Sequence, residues 1–148
     1  MAYVSIYLNF NGNAEEAFNH YKKVFKTEYS APIMRMKDQP SRPGVPPLSE
    51  ADKNKVMHVA LPILGGMQLM ATDMLESMGQ KLVEGNNFTI NLGPDTKEEA
   101  DRLYRELSGN QSSNGKSDKK LTNGIISGMI KLRYERLAWC ITRYSELV

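Results

Sequence analysis

A single cysteine, Cys140, is all the thiol chemistry the sequence contains. No intramolecular disulfide can form, which excludes a stapled secreted scaffold and makes a reducing cytoplasm the expected compartment. No apolar run approaches the roughly 18 residues that a membrane helix needs. The start MAYVSIYLNFNG has no basic stretch leading into an apolar one, so neither a membrane span nor a signal peptide is expected. A dominant charge of one sign is missing too. The 19 Lys and Arg and 17 Asp and Glu give a net charge of +2, spread along the chain, and leave no footprint for nucleic acid. There is no Ser-His-Asp arrangement, no Cys/His cluster and no glycine loop of the phosphate-cradling kind. What remains is ordinary: 148 residues, 41% hydrophobic and 24% charged, enough for one domain or two small modules.

Alternation over Tyr3 to Phe10 predicts a half-buried strand, with Val4, Ile6, Leu8 and Phe10 on one face and Tyr3, Ser5, Tyr7 and Asn9 on the other. Asn11-Gly12-Asn13 ends it. A helix follows, with Asn13 as its expected cap, Glu15 and Glu16 in the first turn, and a stripe of Ala14, Ala17, Phe18, Tyr21 and Phe25. Tyr29 to Met36 reads as a short strand. The prolines between Lys37 and Lys55 make a long loop, with room for a helical turn near Leu48 to Asp52. Val56 to Leu64 and Met67 to Asp73 flank Gly65-Gly66 and read as a β-hairpin. Phe88 to Leu92 is another strand. Beyond it Glu98 and Glu99 open a helix with the stripe Ala100, Leu103, Tyr104 and Leu107.

An offset of 83 positions lays Glu15-Glu16-Ala17 on Glu98-Glu99-Ala100, Tyr21 on Tyr104 and Val24 on Leu107. The strand before each helix falls into line as well. The expected fold class is α+β: paired βαβββ modules forming a curved mixed sheet around a shared concavity. Module one spans 1–80 and module two 86–148 of a single domain, with 111–148 departing from the pattern.

YLNFNGNAEEAFNHYKKVF, VMHVALPILGGMQLMATD and NNFTINLGPDTKEEADRLYRELSGN, in this order, resemble the glyoxalase/bleomycin-resistance/extradiol-dioxygenase (vicinal oxygen chelate) superfamily, and within it the PhnB-like branch. The resemblance covers about Tyr3 to Asn110. It implies a homodimer with a cavity on the sheet. The metal ligands of the superfamily would fall at Ser5 or Tyr7, at Met70, and at Asn86 or Asn87. Because none of these is a usual ligand of a hard cation, neither a catalytic metal nor another cofactor is expected. Beyond Asn110 the resemblance stops. Ile126, Met129, Ile130, Leu137, Cys140, Ile141, Tyr144 and Leu147 approximate an amphipathic helix instead of the closing hairpin. Ordinary divergence is one source of this break. The other is a shift of reading frame, since codons for Leu121 to Gly128, read two bases along, can spell the aromatic–Gly string of the family.

With a two-residue loop at Gly65-Gly66, His58 falls opposite Asp73, either as a satisfied structural pair or as a general base and polar anchor. Met70, of opposite parity, could not then face the same cavity as Asp73. Ser5 and Tyr7 share the polar parity of the first strand and are expected either on the concave face, with Tyr7 as an amphipathic contact, or with Tyr7 packed against the opposing helix. Met57, Met67, Met70, Met74 and Met78 cluster around the hairpin as core filler or pocket lining. His20 reads as a surface residue and Cys140 as a buried thiol. The expected ligand-binding residues are therefore Ser5, Tyr7, His58, Met70 and Asp73, holding a small, partly apolar molecule. The alternatives are an isomerase- or transferase-like enzyme using His58 and Asp73, and a degenerate member that only dimerises.

Overall fold

Period-two alternation puts Leu8 and Phe10 on one side of strand β1 (Ser5–Phe10) and Tyr7 and Asn9 on the other, and only the first pair is buried. The computed structural model describes residues 4–40, 44, 46–83, 90–107 and 130–132, the last three by backbone alone. The chain divides into two compact units, 1–83 and 84–148.

In the first unit, β1 leads into helix α1 (Ala14–Phe25). Short strand β2 (Met34–Arg35), helical turn α2 (Glu50–Lys53), strand β3 (Val56–Pro62) and strand β4 (Gln68–Asp73) follow. The sheet order is β1-β4-β3-β2, with β1 parallel to β4 and the other neighbours antiparallel. This is a βαβββ module with a mixed sheet. Its core lies between one sheet face and α1. Leu8, Phe10, Val59, Leu61, Leu69 and Ala71 are buried there, as are Ala14, Phe18, Tyr21 and Val24 of the helix. Phe18 meets Phe10 and Tyr21 edge-on, with centroids 6.1 and 5.6 Å apart. Full burial of a side chain such as Phe18 or Leu61 contributes about 1.5–3 kcal/mol.

Three local expectations change. Asn13 makes no side-chain cap to α1; the cap comes from another strand, as described below. The strand over Tyr29 to Met36 shrinks to Met34–Arg35, because a bulge interrupts its pairing and a 3₁₀ turn takes Met36–Asp38. Arg35 then anchors the crossover. Its guanidinium pairs with Glu15 of α1 at 2.9 Å and donates to the Asn54 carbonyl at 2.7 Å. The hairpin loop has three residues rather than two. Leu64–Gly66 form a 3₁₀ turn, and the Ile63 amide donates to the Met67 carbonyl at 2.8 Å. The helical turn expected near Leu48 to Asp52 is α2, capped by Ser49.

In the second unit, strand β5 (Ile90–Leu92) precedes helix α3 (Lys97–Leu107), and strand β6 (Ile130–Leu132) pairs parallel to β5. The Thr96 hydroxyl caps α3 by accepting from the Glu99 amide at 3.2 Å. The 83-position offset carries the start of α1 at Ala14 onto the start of α3 at Lys97. The buried faces are phased differently, however. Ala100, Leu103 and Leu107 are buried in α3, while Tyr104, the counterpart of buried Tyr21, is 43% exposed. The helix expected over the C-terminal stretch is not present at 130–132, where backbone pairing with β5 makes a strand. The Ile-Lys-Leu alternation there has the period of a strand. The remaining positions of that expectation lie outside the described residues, as do Asn86, Asn87 and Cys140.

Candidate functional site

The face of the first sheet opposite α1 carries its polar and sulfur chemistry. Register pairs Ser5 with Gln68, Tyr7 with Met70 and Asn9 with Thr72 across β1 and β4. It pairs Met70 with Ala60, and Met34 with His58, across the next two seams. Paired residues share a face, so Ser5, Tyr7, His58 and Met70 lie together on this side, along with Met34. Met34 was not picked out from sequence. Its only signal was its place in a short strand whose partner was unknown.

Tyr7 spans the central strand of this face. From β1 its side chain crosses β4, and its hydroxyl stands 3.0 Å from Nδ1 of His58 on β3. The rings are tilted, with centroids 5.7 Å apart. Partial burial pushes the Tyr7 phenol above its ordinary value, so it stays protonated at neutral pH. Tyr7 is nevertheless 49% exposed, and Met34 beside His58 is 40% exposed. The pair is thus ordered by a hydrogen bond and still partly exposed. Beside it, Gln68 accepts from the Ser30 hydroxyl at 2.8 Å.

Asp73 belongs elsewhere. The three-residue hairpin loop shifts the β3–β4 register by one, so His58 lies level with Thr72 and not with Asp73. Asp73 points to the α1 side and is 3% exposed. Its Oδ1 accepts from the Ala14 amide at 3.0 Å and its Oδ2 from the Val56 amide at 2.8 Å. This carboxylate is the missing cap of α1, favoured by the positive end of the helix dipole. Asp73 therefore leaves the group of expected ligand-binding residues, and His58 takes Tyr7 as its partner instead. Met70 and Asp73 lie on opposite faces of β4, as their parity requires, Met70 with Tyr7 and Asp73 with α1. The methionine cluster divides in the same way, since Met57 shares the parity of buried Val59 while Met70 lies with Tyr7. His20 is half-buried with its ring centroid 6.0 Å from that of Tyr21, not a fully solvated residue.

A second buried carboxylate closes the proline-rich loop onto the module. Asp52 is 3% exposed. It pairs with Lys55 at 2.7 Å and accepts from the Ser49 hydroxyl at 2.8 Å and from the Ser77 hydroxyl. The hydrogen bond from Lys55, then those from Ser77 and Ser49, hold its carboxyl down to about 2, against the opposing effect of burial. Lys55 also donates to the Met74 carbonyl. These contacts are structural: they tie α2 to the segment after β4.

The hard divalent cation that the family resemblance implies does not fit this face. Tyr7 and Met70 stand side by side where ligands would be needed, and they offer a protonated phenol and a thioether. Hard cations take carboxylate, carbonyl and water oxygens. Among the described residues, no three His, Cys, Asp or Glu side chains converge on a point. No helix among them is long and apolar enough to cross a membrane.

The order β1-β4-β3-β2, with α1 on one face and an open polar face on the other, is a PhnB-like fold. The chain belongs to the same family as protein PA1353 from Pseudomonas aeruginosa. The two are 30% identical, and the match covers 73% of each chain with a TM-score of 0.58. The structure of a putative 3-demethylubiquinone-9 3-methyltransferase, a PhnB protein from Bacillus cereus, is similar in fold. There the TM-score is 0.52 and the identity 22%, over 72% of this chain and 74% of that one. No family profile and no curated protein sequence matches the chain.

Proposed function

We propose that this protein is a PhnB-like member of the vicinal oxygen chelate superfamily that binds a small, partly apolar molecule on the open sheet face, without a catalytic metal. The single observation that carries this reading is the Tyr7–His58 hydrogen bond laid across β4 on an exposed face, flanked by Met70 and Met34. An ordered polar pair set among polarizable apolar side chains is the usual composition of a small-molecule site. The phenol and imidazole would fix the polar end of the ligand, and the thioethers would cover its apolar body. The donor set supports the metal-free reading, because Tyr7 and Met70 replace oxygen-rich ligands. A homodimer in the cytoplasm completes the proposal, by analogy with the family.

An isomerase- or transferase-like activity is the second reading, and one observation favours it. His58 keeps a partner at hydrogen-bond distance, now Tyr7, so a proton could pass between an imidazole and a bound ligand. The Bacillus cereus protein of similar fold, a putative 3-demethylubiquinone-9 3-methyltransferase, makes aromatic compounds the first candidates to try for this reading. A member that only dimerises would show neither binding nor turnover.

A thermal-shift screen of metabolites and aromatic drugs tests the proposal, because a ligand of the folded state raises the melting temperature by mass action. A true hit should lose its effect in Tyr7→Phe and His58→Ala. Hits that keep their full effect in both variants would place the site elsewhere. Turnover of a hit that disappears in His58→Ala would select the enzymatic reading.

A further inference from the structure

Met34, His58 and Met70 form a diagonal across three adjacent strands of the open face. Met34 is the direct register partner of His58 on β2. Met70 pairs with Ala60 on β4, which makes it the diagonal neighbour of His58 on the same side. Directly opposed side chains have Cβ atoms about 5 Å apart and diagonal ones about 7–8 Å, within the reach of long side chains. His58 stands between the two methionines.

The chemistry of these three side chains agrees. A thioether is a poor ligand for magnesium, calcium or manganese and a good one for copper(I), and imidazole accompanies it readily. The other ring nitrogen of His58 is also provided for. Nδ1 lies 3.0 Å from the Tyr7 hydroxyl, so an Nδ1–H could donate to the phenolic oxygen and leave Nε2 as the ligand atom. Metal-binding histidines are commonly oriented by such a hydrogen bond on the second nitrogen.

We infer that the Met34–His58–Met70 diagonal is a binding site for a soft monovalent cation, copper(I) or silver(I), held by Nε2 of His58 and two thioether sulfurs. The ion would be a bound ligand and not the Lewis acid of the superfamily's chemistry. The inference goes beyond the small-molecule reading and does not depend on it.

The test uses the full chain carrying Cys140→Ser, so that the single thiol cannot supply a ligand. Copper(I) is titrated under anaerobic conditions against a chromophoric copper(I) chelator. Silver(I), which does not oxidise, is titrated while the methionine methyl signals are followed by NMR. One equivalent of copper(I) should be withdrawn from the chelator, and silver should shift the Met34 and Met70 methyls while leaving Met57 in place. The double variant Met34→Leu/Met70→Leu, which keeps side-chain volume, should abolish competition, and so should His58→Ala. Tyr7→Phe, which retains all three ligands, should weaken binding about 10–100-fold through loss of the orienting hydrogen bond. Melting curves of each variant establish that it is folded. The inference is overturned if copper(I) stays with the chelator, if His58→Ala or the double methionine variant binds as well as the parent, or if silver moves other methionines equally. A protein that fails these tests and still binds an organic molecule through Tyr7 would lose the cation site and keep the proposed function.

Discussion

The Asp73 carboxylate at the end of β4 caps helix α1 by accepting from the backbone amide of Ala14 at 3.0 Å. Its second oxygen takes the Val56 amide at 2.8 Å, so one buried side chain joins the helix start, β3 and β4. Leaving a buried amide without an acceptor costs about 1–3 kcal/mol. Asp73→Ala strips two of them, and urea unfolding should show a loss of at least about 2 kcal/mol. Asp73→Asn keeps one acceptor oxygen and should fall between. Neither variant should change ligand affinity at the opposite face, which separates this structural role from a catalytic one. A loss of affinity in folded Asp73→Asn would contradict that separation.

Asp52 makes stability depend on acid. Its carboxyl sits at about 2 in the folded chain against 3.8 for the ordinary group. A depressed folded value means that the contribution is complete above 3.8 and is lost as pH falls toward about 2. The difference in unfolding free energy between the parent and Asp52→Asn should be constant from neutral pH down to about 4 and then shrink with further acidification. A difference that grows on acidification has the wrong sign and would reject the assignment.

Lys26 ends α1 with φ of +52°, in the left-handed region. A non-glycine residue there carries about 1–2 kcal/mol of steric cost, and glycine is the usual occupant. Part of the gain is lost to the greater unfolded-state freedom of glycine. Lys26→Gly should therefore stabilise the protein by about 0.5–1 kcal/mol in thermal or urea melts. A destabilised variant would mean that the Lys26 side chain makes contacts outweighing its backbone strain.

Much of the first unit could be read from local signals. Alternation over β1, the apolar stripe of α1 and the Ser49 turn are short-range patterns set by two- and 3.6-residue periods. The start of α3 and three of the four residues of its expected stripe, Ala100, Leu103 and Leu107, were legible; exposed Tyr104 was not, because the exact phase of a helix depends on what packs against it. The site was legible in part. Ser5, Tyr7, His58 and Met70 do share one face, but the His58–Asp73 pairing hung on loop length. One extra residue in the turn, Leu64 joining Gly65 and Gly66, moved His58 level with Thr72. The cap of α1 was missed for another reason: its acceptor lies 59 residues downstream, beyond any local motif. Met34 was missed because strand order, not spacing, brings it beside His58.

The central claim is that the face carrying Tyr7, His58, Met34 and Met70 receives a small molecule. The most direct measurement is NMR of the methionine methyls in the presence of an organic compound that raises the melting temperature. Met34 and Met70 should shift in a saturable way while Met57, of the opposite parity, stays in place, and Tyr7→Phe should weaken the response. Saturable binding that shifts Met57 and leaves Met34 and Met70 unmoved would contradict the account.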